Sequence, residues 1–245
     1  MNAAAPIAAA PIAPATTAPA PATTAELRDS VGGLWNALIE HPFPAGLADA
    51  SLPLERFRFY VTQNLLYLPD YARMLAVGAS RSPDGVVLAE YTEALVNIVQ
   101  VEIPQNERML ATVLDLAGPG PAREGIRAPA TVAYTSWLLS VAANGDANDI
   151  AAALLPCAWS YGEIARGLAT GAVEHPVYSG WIAFFASEAY DAVVTTLRDS
   201  FDRELAAMPE PARRRAADIF VTGCRLERQF WDQGFTGSTW PDLAY

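Results

Sequence analysis

Histidine is nearly missing from this 245-residue chain: His41 and His175 are the only two, and each is followed by proline. A di-iron helical bundle needs paired Glu-x-x-His motifs on inward faces, and the sequence has none. Haem needs an axial ligand, for which His41 is the one candidate, but a His-Pro pair more often marks a helix stop. No metal and no cofactor is therefore expected. Cysteine is as scarce, at Cys157 and Cys224; two thiols need no disulfide and suit the reducing cytoplasm. Neither a glycine-rich phosphate loop nor a Gly-x-Ser-x-Gly elbow is present, which argues against nucleotide and serine-hydrolase chemistry. Basic residues are outnumbered 16 to 27, for a net charge of −11. That balance argues against nucleic acid or an anionic membrane as partner. The one basic cluster, Arg213-Arg214-Arg215, reads as a solvated helix face.

Charged and aromatic side chains are missing altogether from residues 1–24, which are almost wholly Ala, Pro and Thr. Such a segment has too little apolar area to offset its chain entropy and reads as an extended, disordered tail. Pro6, Pro11 and Pro14 interrupt the apolar run that a secretory leader would need. Residues 25–245 suit one domain, with 52% hydrophobic and 10% aromatic residues over the whole chain to supply a core. The stretch Ala128 to Gly145 carries no charge, yet Pro129, Asn144 and several hydroxyl residues make it a buried bundle helix rather than a membrane span.

Alternating strand patterns are not found; helical signals run throughout. The first helix is expected from about Ala25 to Glu40, with Thr24 as N-cap and His41-Pro42-Phe43-Pro44 as its stop. A long second helix begins near Pro53 and is expected to kink or split at Pro69. A third runs from Ser82-Pro83-Asp84 to about Val101, with a break at Pro104 and a short helix to Ala117 before the Gly118-Pro119-Gly120-Pro121 loop. Further helices are predicted over residues 129–143, 146–170, 175–208 and 210–234. Seven or eight helices with short connections make a single all-α bundle.

Several polar groups are set in apolar helices at helical spacing. Cys157 and Tyr161 are four apart, hence on one face; Asn64 and Tyr67 are three apart, as are Tyr134 and Trp137. Glu227 follows Cys224 by three in a helix whose other side is basic. A lone buried cysteine is usually a small core residue, and a tyrosine stripe is usually packing. Together, though, a thiol, a carboxylate, an amide and several phenols facing one interior all need partners, and a polar pocket accounts for them most simply. Cys224 reads as core filler.

The strings resemble the TenA (thiaminase II) family from about Leu34 to Phe235. They are Leu34-Trp35 through Ile39-Glu40-His41-Pro42-Phe43; Phe57-x-x-Tyr60-x-x-Gln63-Asn64-x-x-Tyr67-Leu68; Tyr134-Thr135-Ser136; Leu155-Pro156-Cys157-x-Trp159-x-Tyr161; His175-Pro176-x-Tyr178-x-x-Trp181-Ile182; and Glu227-x-Gln229-Phe230-Trp231. The resemblance implies a haem-oxygenase-like helical fold without haem, commonly a homotetramer. It implies Cys157 as nucleophile and Glu227 as acid/base, with Asn64, Tyr67, Tyr134, Tyr161, Phe185 and Phe230 around the substrate. The implied reaction is hydrolysis of aminomethyl-pyrimidine or thiamine to the hydroxymethyl product, in thiamine salvage. Two residues depart from the family pattern. Asn64 stands where an aspartate usually grips the aminopyrimidine, and Phe185 where tyrosine is common. The alternatives are altered specificity, for instance toward an oxo-pyrimidine, or a non-catalytic binding or regulatory role.

Overall fold

Proline and glycine decide where the helices of this chain divide. The structure, a computed structural model, describes residues 19–243 and contains no strand among them. The expected tail lies outside the described residues as far as residue 18. The helix termed α1 (Thr24–Val31) is capped by Thr23, one residue earlier than expected, whose side chain accepts from the Glu26 N–H. Gly32, at φ 39°, then ends α1, so the predicted first helix is two: α1 and α2 (Gly33–Ile39). The His41-Pro42 pair also starts a helix. His41 caps α3 (Pro42–Ala48) by accepting from the Phe43 N–H, and its other ring nitrogen meets Asp232.

Helix α4 (Leu54–Arg81) runs unbroken through Pro69, against the expectation of a split. Proline there leaves the Leu65 carbonyl without its helical donor. Leu65, Leu66 and Pro69 all lie on the partly exposed side, where water can take that bond. Pro104 has a different effect. Helix α5 (Gly85–Asn97) passes into one π-helical turn, Ile98–Glu102, and on into α6 (Ile103–Ala117) without a break. Pro104 has no N–H to give Gln100, and the ladder widens by one residue, so that the Ile103 N–H bonds the Ile98 carbonyl.

Four more helices follow: α7 (Pro129–Asn144), α8 (Ala147–Ala169), α9 (Tyr178–Phe185) and α10 (Glu188–Ala207). The last, α11 (Glu210–Thr236), ends at Gly237 in the left-handed region, φ 69°. A capping box from Asp146 and Asp149 opens α8. The predicted helix 175–208 is cut at Ser187, whose hydroxyl caps α10.

Helix α4 is packed on its sides by α5, α6, α7, α8 and α11, and α11 lies along α8. These last two pack tightly at Gly223, where an added Cβ would stand 2.8 Å from Pro156 Cγ. The core is aromatic. Trp35, Trp181, Trp231, Tyr60, Phe43 and Phe57 are fully buried, each worth roughly 1.5–3 kcal/mol relative to exposure. Among the described residues no helix is long and apolar enough to cross a membrane.

Candidate active site

Gln63 fixes the wall on which the site is built. Its amide nitrogen donates to the carbonyls of Glu124 and Ile126, and its oxygen accepts from the Ala128 N–H and the Thr131 hydroxyl, all at 2.8–2.9 Å. With the partly buried Arg58–Glu124 pair, this ties the Gly-Pro loop and the start of α7 to α4. Tyr134, within the next turn of α7, is thereby aimed inward, and its hydroxyl donates to Glu227 Oε1 of α11 at 2.7 Å. Glu227 is 1% exposed. Burial pushes its carboxyl up to about 7, while Tyr134 and the Cys157 thiol pull it back down.

Cys157 comes from α8, held against α11 by the Gly223–Pro156 approach. Although deep in the bundle, it stays partly accessible because it opens onto a cavity. Burial raises the thiol well above its ordinary range. The Glu227 and Glu102 carboxyls raise it further, and the Tyr67 hydroxyl works the other way. The resting group is therefore a neutral thiol beside a carboxyl that titrates near neutrality. Moving the thiol proton to the carboxylate is therefore uphill at rest and has to be drawn by bond formation at the sulfur. Tyr67 has no hydrogen-bond partner of good geometry, and its ring packs 5.0 Å from Tyr134 and 5.6 Å from Phe230.

The cavity is tight as it stands, about 30 Å³, room for a water or two, so a pyrimidine ring would have to widen it. Cys157, Tyr161, Tyr71, Tyr190, Asn97 and Glu102 bring the polar groups to its wall; Leu68, Leu75, Ile98 and Leu197 are among the apolar ones. Two of the phenols are already engaged, since Tyr71 donates to the Leu154 carbonyl and Tyr190 to that of Ala158. Tyr161 is different. The Trp181 indole N–H, which can only donate, bonds the Tyr60 oxygen at 3.2 Å, and Tyr60 donates to Tyr161 at 3.3 Å. That chain leaves the Tyr161 proton for whatever lies in the cavity. Phe185 stands behind Tyr161, edge-on at 5.0 Å, and Trp231 stacks on it at 4.9 Å.

The structure thus brings the expected Cys157, Glu227, Tyr134, Tyr67 and Tyr161 into one cluster. Of the expected residues Cys157 and Tyr161 are on the cavity wall, while Glu227, Tyr134 and Tyr67 stand behind it, as do Asn64, Phe185 and Phe230. Asn64 donates to the Asn106 side chain at 3.0 Å, and Asn106 donates to the Glu102 carbonyl at 2.9 Å. Sequence reasoning missed Glu102, Asn106, Tyr71 and Tyr190. The one local signal was a single carboxylate in Val101-Glu102-Ile103-Pro104, a solitary charge among β-branched residues beside a proline.

Comparison with known proteins places this arrangement in context. The model of the TENA/THI-4/PQQC family matches residues 28–236. An aminopyrimidine aminohydrolase of Halalkalibacterium halodurans is 35% identical over 223 residues, covering 88% of this chain and 96% of that protein. Among solved structures, the TenA homologue from P. horikoshii OT3 superposes with a TM-score of 0.75 at 30% identity, over 88% of this chain and 99% of that one. A TenA family transcription regulator from Silicibacter superposes with a TM-score of 0.76 at 27% identity, over 86% and 96%.

Proposed function

The chain belongs to the TENA/THI-4/PQQC family, and from that membership we propose that it is a hydrolase of thiamine-related aminopyrimidines working in thiamine salvage, with Cys157 as nucleophile and Glu227 as proton carrier. The observation that carries the reading is the buried relay from Tyr134 to Glu227 to Cys157, opening on an aromatic-walled cavity. A protein that only bound its ligand would have no use for a thiol coupled to a carboxyl near neutrality.

The steps follow from those groups. The Glu227 carboxylate takes the thiol proton, and the Cys157 sulfur adds to the ring carbon beside the one bearing the exocyclic methylene. The electron pair moves onto the ring nitrogens and aromaticity is lost. The ring pair then pushes out the group on the methylene, an amine or the thiazole of thiamine, leaving an exocyclic alkene. For the amine, protonated Glu227 supplies the proton on departure; thiazole leaves neutral without one, and Glu227 then releases its proton to solvent before the next step. Water adds to the alkene carbon as Glu227 accepts its proton. Expulsion of the sulfur restores the aromatic ring and yields the hydroxymethyl product. Tyr161, with its proton directed into the cavity, and the Tyr67 hydroxyl beside the thiol supply oriented dipoles for the changing charge.

The test is incubation with aminomethyl-pyrimidine and with thiamine, following the hydroxymethyl product. Turnover abolished by Cys157→Ser supports the reading; a wild-type protein that turns over neither compound refutes it. We further propose a cytoplasmic homo-oligomer, in keeping with two free thiols. Val86, Val96, Val99, Leu114 and Leu116, exposed along α5 to α6, supply apolar area for an interface. Light scattering on the purified chain checks it, and a monomer at micromolar concentration would overturn it.

A further inference from the structure

Glu102 is a buried carboxyl without a counter-charge. It is 7% exposed and lies on the cavity wall that also carries Cys157. Among the described residues no cation pairs with it and no donor bonds its side chain; its charged neighbour is Glu227, which repels it. Groups of this kind are costly unless something satisfies them. The fold goes out of its way to hold it there. The extra residue of the π-helical turn brings Glu102 to the cavity, and the turn is braced by the Asn64 to Asn106 to Glu102-carbonyl chain of hydrogen bonds.

Asn64 meanwhile has given a donor to Asn106 and stands off the wall. The residue expected to grip the ring is thus a brace, and the wall offers a different carboxyl. An amino-substituted pyrimidine presents an N–H donor beside a ring-nitrogen acceptor. A protonated carboxyl presents the matching acceptor and donor, and a carboxylate matches the same edge once the ring nitrogen is protonated. Glu227 must face the exocyclic methylene, where the leaving group and water are handled, so the ring's amino edge is turned toward the rest of the wall.

We propose that Glu102 is the residue that recognises the amino-bearing edge of the pyrimidine, with Asn64 and Asn106 positioning the π-helical turn that carries it. This rests on the aminopyrimidine reading above. The proton that Glu102 shares with the ring nitrogen also meets the negative charge that sulfur addition drives onto the ring. Addition therefore proceeds without a separate acid.

The experiment measures binding rather than turnover. The hydroxymethyl product carries the ring's amino edge but no leaving amine on the methylene, so it reports on the edge alone. Calorimetry with this product on wild type, Glu102→Met and Glu102→Gln is expected to show Kd raised at least tenfold by methionine. Glutamine, which keeps a donor and an acceptor, should stay within about threefold. The corresponding 4-oxo compound should gain on the amino compound in Glu102→Met. Unchanged product affinity in Glu102→Met, with a melting temperature no lower than wild type, overturns the proposal. So does loss of affinity in Asn64→Leu with Glu102→Met unaffected. Wild type that binds the product but turns over nothing would sink the hydrolase reading and leave this inference standing; wild type that does not bind it would end both.

Discussion

Removing one oxygen atom tests the proton relay. Tyr134→Phe deletes the hydroxyl that donates to Glu227 Oε1 at 2.7 Å and leaves the ring, fully buried, to fill its place. A buried hydrogen bond to a charged group contributes roughly 1.5–3 kcal/mol. At about 1.4 kcal/mol per pKa unit, its loss raises the Glu227 carboxyl by roughly one to two units. The starting point is about 7, and Tyr134 is one of the two groups holding it down, so the variant should titrate roughly between 8 and 9. If the free enzyme needs the carboxylate to take the thiol proton, the ionised fraction at pH 7 falls from about half to between roughly 1 and 10%. Then kcat/KM at pH 7 drops about 5- to 50-fold and recovers as the pH is raised past the new value. Steady-state rates on aminomethyl-pyrimidine from pH 5 to 9.5 give the profile, and the rate of iodoacetamide alkylation of Cys157 gives an independent one. An acid limb that stays in place would refute Glu227 as the base. An alkaline limb that moves up while the pH 7 rate holds would refute the order of proton transfers.

Asn64→Asp replaces the amide donating to Asn106 with a carboxylate, forcing Asn106 to turn over and release the Glu102 carbonyl. Stability in urea should fall by about 1–3 kcal/mol, and the kinetics on amino and oxo rings should both change; no change in either discards the bracing role. Glu102→Gln should alter how stability depends on pH. The native carboxyl is raised from 4.5 to about 7, so between those values the folded chain keeps a proton that the unfolded chain has released. Wild-type stability therefore declines as pH rises through this window, by about 3 kcal/mol for the full shift, and glutamine removes that part of the decline. Parallel urea curves for the two proteins at pH 4.5 and pH 8, offset equally, would contradict it. Gly223→Ala pushes a methyl to 2.8 Å from Pro156 Cγ. Separating α8 from α11 should cost about 1–3 kcal/mol and should lower kcat more than it raises KM, because the thiol and the carboxyl sit on those two helices; an unaltered kcat counts against the dependence.

Helical period and proline punctuation made α7, α8 and α11 legible almost to the residue, and the start of α4 with them. The Cys157 thiol is conspicuous in an apolar string, but its role and that of Glu227, which is flanked by Arg225 and Arg228, come from the family resemblance. Other features depend on tertiary context. Ala186-Ser187 separates α9 from α10 because the Ser187 hydroxyl caps α10, and a serine in that string carries no such mark. Pro69 and Pro104 look alike in sequence, yet one is passed over and the other widens the ladder. Glu102 was overlooked because a single acid on a helix is normally solvated. Only the packing of α4, α5, α8 and α10 around it turns it into a wall residue.

The π-helical turn at Ile98–Glu102 acts as a register mark. Each residue of an α-helix advances by about 100°, so deleting any one residue there would let the ladder close normally and swing everything upstream of the deletion by that angle against everything downstream. The side chains of α5 would leave the seats they hold on α4, or Glu102 would leave the cavity; both could not be kept. The length of this segment, more than the identity of its residues, is therefore what the site depends on: it should accept many substitutions at Gln100 and Val101, which face outward, and no change in the number of its residues.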